Sequence, residues 1–283
     1  MLLEQRINWL NLENIGTDID IISIGNEGCI IPFLHIEKRW NDFLNLIEAH
    51  KRVKVVLPRI SQNDLSITIN LLKKIWSLQR NVEVVLNDWG IIFFCVQHFF
   101  DMKIHIGRQL CRSLLDCPWK DEILQNEKNS VQRIISSHPY NDILKLNGLK
   151  QKGIYGIEFN SIPYFDECNA FKTAQIETSI DSKTYLLTCG KNCLTKRITD
   201  NKECIEICDL PLDILPAGKW LGYFDNDKAY SEYEASLLKG LQVKGKSVLL
   251  PQYNEINNII LSGINTIIVH DTSTINEIRS ITQ

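Results

Sequence analysis

Four cysteines gathered within twenty residues are the group in this sequence most able to do chemistry. Ten residues separate Cys193 from Cys204, three separate Cys204 from Cys208, and Cys189 precedes them in the same polar stretch. Thiolates are soft ligands that bind zinc or the iron of an iron–sulfur cluster. The spacing therefore predicts a metal-binding loop over residues 189–208.

The fourth ligand of this predicted loop is either Cys189 or the distant Cys29. Cys29 ends a glycine-flanked turn, residues 24–29, that follows an apolar run, and turns of this kind often carry ligands. Structural zinc sites favour two tight cysteine pairs. Cys204 and Cys208 form one such pair, and Cys189 and Cys193, with three residues between them, would form the second if Cys189 is a ligand. The spacing is compatible with a zinc ion, with a 4Fe-4S cluster and with cysteines that bind no metal. If the site holds a cluster, the ligands that fit best are Cys29, Cys193, Cys204 and Cys208.

Polar residues and glycine also follow two apolar runs that have strand character. Asn87, Asp88 and Trp89 come after the first run, and Gly107 and Arg108 come after the second. The planar guanidinium of Arg108 can pair with both oxygens of a carboxylate or phosphate. These five residues are therefore predicted to bind an anionic substrate, with the alternative that Arg108 pairs with a neighbouring acid such as Asp88.

Catalytic residues are not assigned by the sequence. Glu27 and Glu158 lie near predicted strand ends and could act in acid–base catalysis, although a solvated surface position is the more ordinary explanation. The histidines are scattered without the spacing of a metalloprotease, and no G-x-S-x-G nucleophile elbow occurs. Two common enzyme classes are therefore unsupported.

The elements that must position these residues alternate between strands and helices. The opening segment is helix-like, residues 62–80 and 121–136 are predicted helices, residues 183–188 fit a strand or a short helix, and residues 209–246 read as an irregular insertion or hairpin. Eight short strands separated by helical patterns favour a closed (β/α)8 barrel, an α/β fold, as a single domain over residues 1–283. The predicted strands are 18–24, 53–57, 82–86, 103–106, 154–159, 174–178, 247–250 and 266–270.

A barrel of this kind would bring the candidate residues together. In parallel barrels the loops after the strands meet at one rim, and that rim carries the working site. Cys29 follows the first predicted strand, Asn87 the third, Arg108 the fourth and the cysteine loop the sixth. The predicted metal ligands and anion-binding residues should therefore share one site.

Composition argues against several other classes of protein. The formal net charge of −3, from 31 basic and 34 acidic residues without a basic run, gives no reason to expect a nucleic-acid partner. The longest apolar run, residues 89–100, contains Gln97 and His98 and is too short to span a bilayer. The N-terminus lacks a signal-peptide pattern, which predicts a cytoplasmic protein whose nine cysteines do not form disulfides.

Several of these segments, in the same order, resemble one known family. The turn ending in Cys29, the Asn87-Asp88-Trp89-Gly90 and Gly107-Arg108-Gln109-Leu110 segments and the cysteine loop are similar to those of the collagenase-like peptidase family U-thirty-two. The similarity runs from about residue 18 to the C-terminus and is greatest with the short, single-barrel UbiV-type branch, which acts in ubiquinone biosynthesis. The chain departs at Asp181-Ser182, where many members carry a His-Gly or Tyr-Gly step.

The resemblance implies both a cofactor and a function. Its ligand pattern implies a 4Fe-4S cluster on Cys29, Cys193, Cys204 and Cys208, with Cys189 as a bystander. It implies an iron–sulfur subunit of an oxygen-independent hydroxylase, with prephenate as the oxygen donor, an aromatic or quinone-type substrate and a UbiU-like sister subunit in a heterodimer. Two alternatives stay open, namely a collagenase-like peptidase, for which no nucleophile and base are evident, and a non-catalytic scaffold with structural zinc.

Overall fold

The computed structural model describes residues 1–8, 15–16, 18–78, 81–117, 120–204, 206–208, 212–213, 240–251 and 256–282. The strands in this part of the chain are β1 Leu2–Ile7, β2 Ile21–Gly25, β3 Val53–Leu57, β4 Val82–Leu86, β5 Ile104–Ile106, β6 Ile154–Phe159, β7 Glu177–Asp181, β8 Thr184–Cys189, β9 Leu212–Asp213, β10 Gln242–Lys244, β11 Ser247–Pro251 and β12 Thr266–Val269. Eight of them form a closed parallel barrel in the order β1-β12-β7-β6-β5-β4-β3-β2, because β1 pairs with both β2 and β12.

Helices follow most of the barrel strands. They are α1 Ile31–Lys38, α2 Trp40–Ala49, α3 Leu65–Trp76, α4 Trp89–His98, α5 Lys120–Leu124, α6 Asn129–Ser136, α7 Ile143–Gln151, α8 Phe165–Thr173, α9 Leu194–Ile198, α10 Ile256–Ser262 and α11 Thr272–Thr282. Phe33 of α1, Phe43 of α2 and Leu72 of α3 are fully buried in one apolar cluster with strand residues Val55 and Val84. The main core therefore lies between the strands and the helices, which confirms the predicted (β/α)8 barrel.

The first barrel strand corrects the prediction of a helix-like opening. Residues Leu2–Ile7 form β1, in which Leu3 and Ile7 join apolar clusters while Glu4 and Arg6 pair with each other at 2.6 Å. Two charges within six residues resemble the polar face of a helix, but here they lie two residues apart and therefore share one face of a strand. The number of barrel strands was predicted correctly, although this member was missed.

One predicted barrel strand belongs instead to a second, antiparallel sheet, so its assignment to the barrel was wrong. Residues 247–250 lie in β11, which pairs with β8 and β10 in the order β8-β11-β10-β9. The two-residue turn Gly245–Lys246 joins β10 to β11, and so short a connection can join only antiparallel strands.

Residues 183–188, left undecided by the sequence, belong mostly to β8. Of the predicted insertion, 212–213 and 240–246 contribute β9, β10 and this turn, and its other residues lie outside the described part.

Smaller differences concern element boundaries. Residues 62–80 begin with a 3₁₀ turn, Gln62–Asp64, before α3, and residues 121–136 contain two helices, α5 and α6, rather than one. The sixth predicted strand, 174–178, is β7 at Glu177–Asp181. Across the described residues, no helix combines the length and apolar character that a membrane crossing requires.

Charged side chains occupy the inside of the barrel and pair across it. Arg6 on β1 binds Glu158 on β6, three strands away in the barrel order, so their contact crosses the interior. Lys54 on β3 lies 2.8 Å from Glu4 on β1, and both side chains are fully buried. The ordinary expectation of a solvated Glu158 is therefore wrong, because its carboxylate is buried against Arg6.

A second buried cluster centres on Glu83 of β4. Its carboxylate accepts hydrogen bonds from Arg52 at 2.8 Å and lies 2.8 Å from Nε2 of His105. Arg52 also binds Glu177 at 2.9 Å. Burial alone would raise the pKa of Glu83, but His105 and Arg52 hold it well below its ordinary value. The interior is therefore a network of ion pairs instead of an apolar stack.

The second sheet lies over the carboxyl-terminal end of the barrel. Asn160, just after β6, accepts from the Leu186 amide at 2.7 Å and donates to the Leu186 carbonyl at 3.2 Å. Asp181, at the end of β7, accepts from the amides of Lys183 and Thr184 at 3.0 and 2.9 Å. These bonds fix β8 above the rim, so that residues of the second sheet and of the post-strand loops share one surface.

Candidate functional site

The turn that carries Cys29 packs directly against the second sheet. Gly25 has a φ of +117°, and a Cβ there would lie 2.2 Å from the Val56 carbonyl oxygen, so this position requires glycine. At Gly28 an added Cβ would lie 2.3 Å from Oγ of Ser247 and 3.2 Å from Sγ of Cys189. Gly25 thus allows the turn to approach β3, and Gly28 allows it to approach β8 and β11, which places Cys29 beside residues far away in sequence.

Cys193 begins helix α9 next to the turn between β10 and β11. Its Sγ accepts from the Lys196 amide at 3.4 Å, and the Leu194 amide donates to the Gly245 carbonyl at 2.9 Å. A Cβ on Gly245 would lie 3.2 Å from Sγ of Cys208. Cys193 and Cys208 therefore both lie near the turn between β10 and β11.

The structure brings together thiols that the sequence predicts as ligands. The pKa of Cys29 is raised, first by burial and also by Cys193 and Cys204, while Lys246 acts in the opposite direction. Cys29, Cys193 and Cys204 are thus close enough to interact electrostatically, and Cys208 lies beside Gly245. None of these four cysteines is in a disulfide.

These thiols are neighbours and do not yet form a coordination sphere. In the part of the chain that is described, no three Cys, His, Asp or Glu side chains already converge on a point where they could hold a metal ion. Cys204 is exposed, whereas Cys29 and Cys208 are buried. Binding of one metal centre by all four would therefore require the thiol-bearing segments to move closer, as occurs where metal binding is coupled to folding.

Cys189 lies beside this cluster with a partner of its own. Its Sγ is 3.3 Å from Oγ of Ser247, and it contacts the Gly28 position. Burial raises the pKa of Cys189 to about 11. Its hydrogen bond makes it a less available ligand than Cys204, although the choice between Cys189 and a distant ligand stays a prediction.

Arg108 is buried and is held by acids other than the predicted Asp88. Its guanidinium donates to both carboxylate oxygens of Glu27, at 2.7 and 2.6 Å, and lies 3.4 Å from Asp181. Nη1 also donates to the Thr184 carbonyl at 2.7 Å. Burial alone would lower the pKa of Arg108, but Glu27 and Asp181 raise it above its ordinary value. Arg108 therefore joins three rim segments, and a direct contact between Arg108 and substrate stays a prediction.

The acids around Arg108 are ionised and connected. Burial alone would raise the pKa values of Glu27 and Asp181, but Arg108 lowers the pKa of both carboxyls. Asp181 also lies 2.8 Å from Nε2 of His270, whose Nδ1 is 3.2 Å from Nζ of Lys244. The solvated position expected for Glu27 is wrong, since only 9% of this residue is exposed.

Asn87 and Gly107 build the loop next to Arg108. Asn87 Nδ2 donates to the Leu57 carbonyl at 2.9 Å, and its Oδ1 accepts from the Gln109 amide at 3.2 Å. A Cβ on Gly107 would lie 2.2 Å from this Oδ1, so glycine makes the close approach possible. Both predicted substrate-binding residues therefore lie at the rim and take part in its internal hydrogen bonds.

Asp88 and Trp89 begin helix α4. Asp88 caps the helix by accepting from the Ile91 amide at 3.1 Å, and its other oxygen accepts from the Ile60 amide at 3.2 Å. Trp89 is 38% exposed and lies edge-on to Tyr140 at 6.5 Å between ring centroids. Asp88 is thus engaged in fixing the loop, while Trp89 keeps an exposed face.

A cavity of about 570 Å³ opens at this rim between the post-strand loops and the second sheet. Its lining includes Glu27 and Gln109 from the rim network and Cys189 from the thiol neighbourhood. Three cationic residues also line it, and none was singled out from the sequence: Arg59, Lys191 and Lys246.

Comparisons with known proteins return nothing similar: no protein-family model, no curated protein and no solved structure matches this chain. The resemblance to family U-thirty-two therefore rests on the motifs in the sequence. Its implications for the cofactor and substrate stay predictions.

Sequence signals were present for some of the residues missed at the site. Arg59 follows the predicted strand 53–57, so the rule that post-strand loops build the rim applies to it as well as to Arg108. Lys191 lies inside the cysteine loop itself. Lys246 could not be found in this way, because it reaches the rim only through the antiparallel pairing of β10 and β11.

Proposed function

We propose that this chain is the iron–sulfur subunit of an oxygen-independent hydroxylase, with a 4Fe-4S cluster at the rim of the barrel. The observation that carries the proposal is that separate thiol-bearing segments pack on the same hairpin of the second sheet. The turn with Cys29 contacts Ser247 through Gly28, and the start of α9, next to Cys193, bonds to the Gly245 carbonyl. Cys208 lies beside the same Gly245. Thiols that are not in disulfides and come together in this way fit a soft-metal centre.

The residues of the chain have distinct roles in this proposal. Cys29, Cys193, Cys204 and Cys208 hold the cluster, which when bound supplies one-electron redox chemistry or Lewis acidity at the rim. Arg108 and Glu27 keep the post-strand loops and the second sheet in register through their paired hydrogen bonds. The second sheet covers the end of the barrel and limits access of water to the buried thiol of Cys29.

The reaction and the partner in this proposal come from the family resemblance alone. They are hydroxylation of an aromatic or quinone-type metabolite, with prephenate as the oxygen donor, and a UbiU-like sister subunit. The structure contributes a rim cavity next to the thiols, which is where a small substrate would have to bind.

The test compares two cysteine variants purified without oxygen. Cys204 is exposed, so Cys204→Ala removes a proposed ligand without opening a cavity in the core. We expect this variant to lose most of the iron and sulfide bound by the native chain. Cys117, half-buried and outside the cluster, provides the matched control, and Cys117→Ser should keep its iron.

Two outcomes would refute the assignment. Equal iron in both variants would show that Cys204 is no ligand. Zinc without iron in every preparation would point instead to the scaffold with structural zinc, because zinc provides no electron-transfer chemistry.

A further inference from the structure

The rim cavity has an unbalanced charge. Arg59 and Lys191 are exposed, Lys246 is half-buried, and none of the three forms an ion pair with any residue that the structure describes. They reach the cavity from two sides, since Arg59 follows β3 and the other two belong to the second sheet and its adjoining loop. Convergence of unpaired cations from separate elements is typical of an anion-binding site.

The carboxylates of the cavity do not neutralise these cations. Glu27 is one of the two acids in the lining, and its carboxylate is already paired with the guanidinium of Arg108 through two hydrogen bonds. The other is Asp64, which accepts a hydrogen bond from Ser61 Oγ at 2.6 Å at the start of the 3₁₀ turn. Three cations therefore face one uncompensated carboxylate, which leaves an excess of two positive charges.

We propose that this cavity binds a small organic anion with at least two negative charges, either a phosphate monoester or a dicarboxylate. The volume of about 570 Å³ is within the range of metabolite-binding pockets. Uncharged hydrogen-bonding groups, including the side chain of Gln62, line the same space and can bind the rest of the ligand.

The anion site is adjacent to the thiols but does not depend on them. Lys246 interacts electrostatically with Cys29, and Cys189 lines the cavity, so a bound anion would lie beside the proposed metal centre. The inference itself rests on the cavity and its three cations and does not require a cluster. It goes beyond the proposed function, because it assigns binding residues other than Arg108.

Isothermal titration of the full-length chain with three probes tests this inference. The probes are phenyl phosphate, phenylsuccinate and the uncharged benzamide. We expect at least one dianion to bind, with an affinity that falls as salt is added, and benzamide to bind no more than about a tenth as tightly. The stronger dianion identifies the phosphate monoester or the dicarboxylate as the ligand class.

Matched lysine variants locate the binding. Lys191→Gln should weaken binding of the dianion about ten-fold or more, because a charge-assisted hydrogen bond is lost. Lys152 is also an exposed lysine but lies just before β6, at the opposite end of the barrel, and Lys152→Gln should bind as the native chain does. Arg59→Gln should repeat the effect of Lys191→Gln from the other side of the cavity.

The outcomes separate this inference from the proposed metal centre. Cys204→Ala should retain dianion binding even where it has lost iron, and loss of binding in that variant would contradict an independent site. The proposal is overturned if neither dianion binds, or if Lys191→Gln and Arg59→Gln bind as tightly as Lys152→Gln.

Discussion

The barrel interior and the rim cavity both contain several charged side chains, but only those of the interior are fully paired among the described residues. Inside the barrel, Lys54 lies against Glu4 at 2.8 Å, and both have no exposed surface. At the rim, Arg59 and Lys191 line an open cavity without an ion-pair partner in the described chain. Buried charges must be paired for the protein to fold, whereas unpaired charges near water remain available to a ligand.

The rim residues also divide into paired residues, such as Arg108, and the cations of the cavity that are unpaired within the described chain. Arg108 is 2% exposed, with Glu27 and Asp181 around it, so it resembles the interior network more than the cavity. The polarity of a residue in a post-strand loop therefore does not by itself indicate ligand binding. Its pairing within the fold distinguishes a structural role from a binding role.

The largest effect is expected from removing one partner in the interior. Lys54→Met should lower the free energy of unfolding by about 3–5 kcal/mol, because buried Glu4 loses one of its two cations and keeps only Arg6. Arg39→Met is the control, since Arg39 pairs with Asp42 at the surface, and it should cost less than about 1 kcal/mol. Urea unfolding measures both, and equal losses would contradict the distinction between buried and exposed pairs.

Acid should weaken the interior network, because the carboxylate of Glu4 is stabilised in its ionised form by the fold. Burial would raise the pKa of Glu4, but Lys54 and Arg6 lower it from 4.5 to about 2. Its contribution, on the order of 3 kcal/mol, is therefore complete above about pH 4.5 and is lost as the pH falls toward about 2.

Urea unfolding as a function of pH checks the role of Glu4. The native chain should lose more stability between pH 4.5 and 2 than Glu4→Gln, which has no carboxylate to protonate at this position. The same pH dependence in both chains would show that Glu4 does not contribute in this range.

A smaller effect is expected where the rim turn meets the second sheet. Gly28→Ala should cost about 1–3 kcal/mol, because the new Cβ would lie 2.3 Å from Oγ of Ser247. Gly148 in α7 has nothing within 4 Å of an added Cβ, so Gly148→Ala should stabilise the chain by about 0.5–1 kcal/mol. Thermal unfolding would contradict this packing if the two substitutions shifted the midpoint in the same direction.

The sequence predicted the barrel strands well where apolar β-branched residues dominate. Val53–Leu57 and Val82–Leu86 are fully buried runs with one charged residue each, and their boundaries were predicted correctly. Leu2–Ile7 is also buried but was missed, because Glu4 and Arg6 have partners across the closed barrel, Lys54 and Glu158, that no local pattern reveals. The order of strands in the second sheet depends likewise on a turn at Gly245 whose φ of +64° only the fold shows.

The candidate site was predictable only where its residues give a signal that is local in the sequence. Cysteine spacing pointed to Cys193, Cys204 and Cys208, and the glycine-flanked turn pointed to Cys29. The partner of Arg108 could not be predicted, because Glu27 is 81 residues away in the chain. The cations of the cavity were missed because a lone exposed lysine or arginine gives no signal until the fold places several of them together.

Determination of iron, acid-labile sulfide and zinc in the anaerobically purified native chain shows whether the rim thiols bind a cluster. We expect about four iron and about four sulfide per chain, with visible absorption from thiolate-bound iron. Zinc alone, or no metal after reconstitution with iron and sulfide, would contradict this expectation and leave the rim of this barrel as an anion-binding surface without a redox centre.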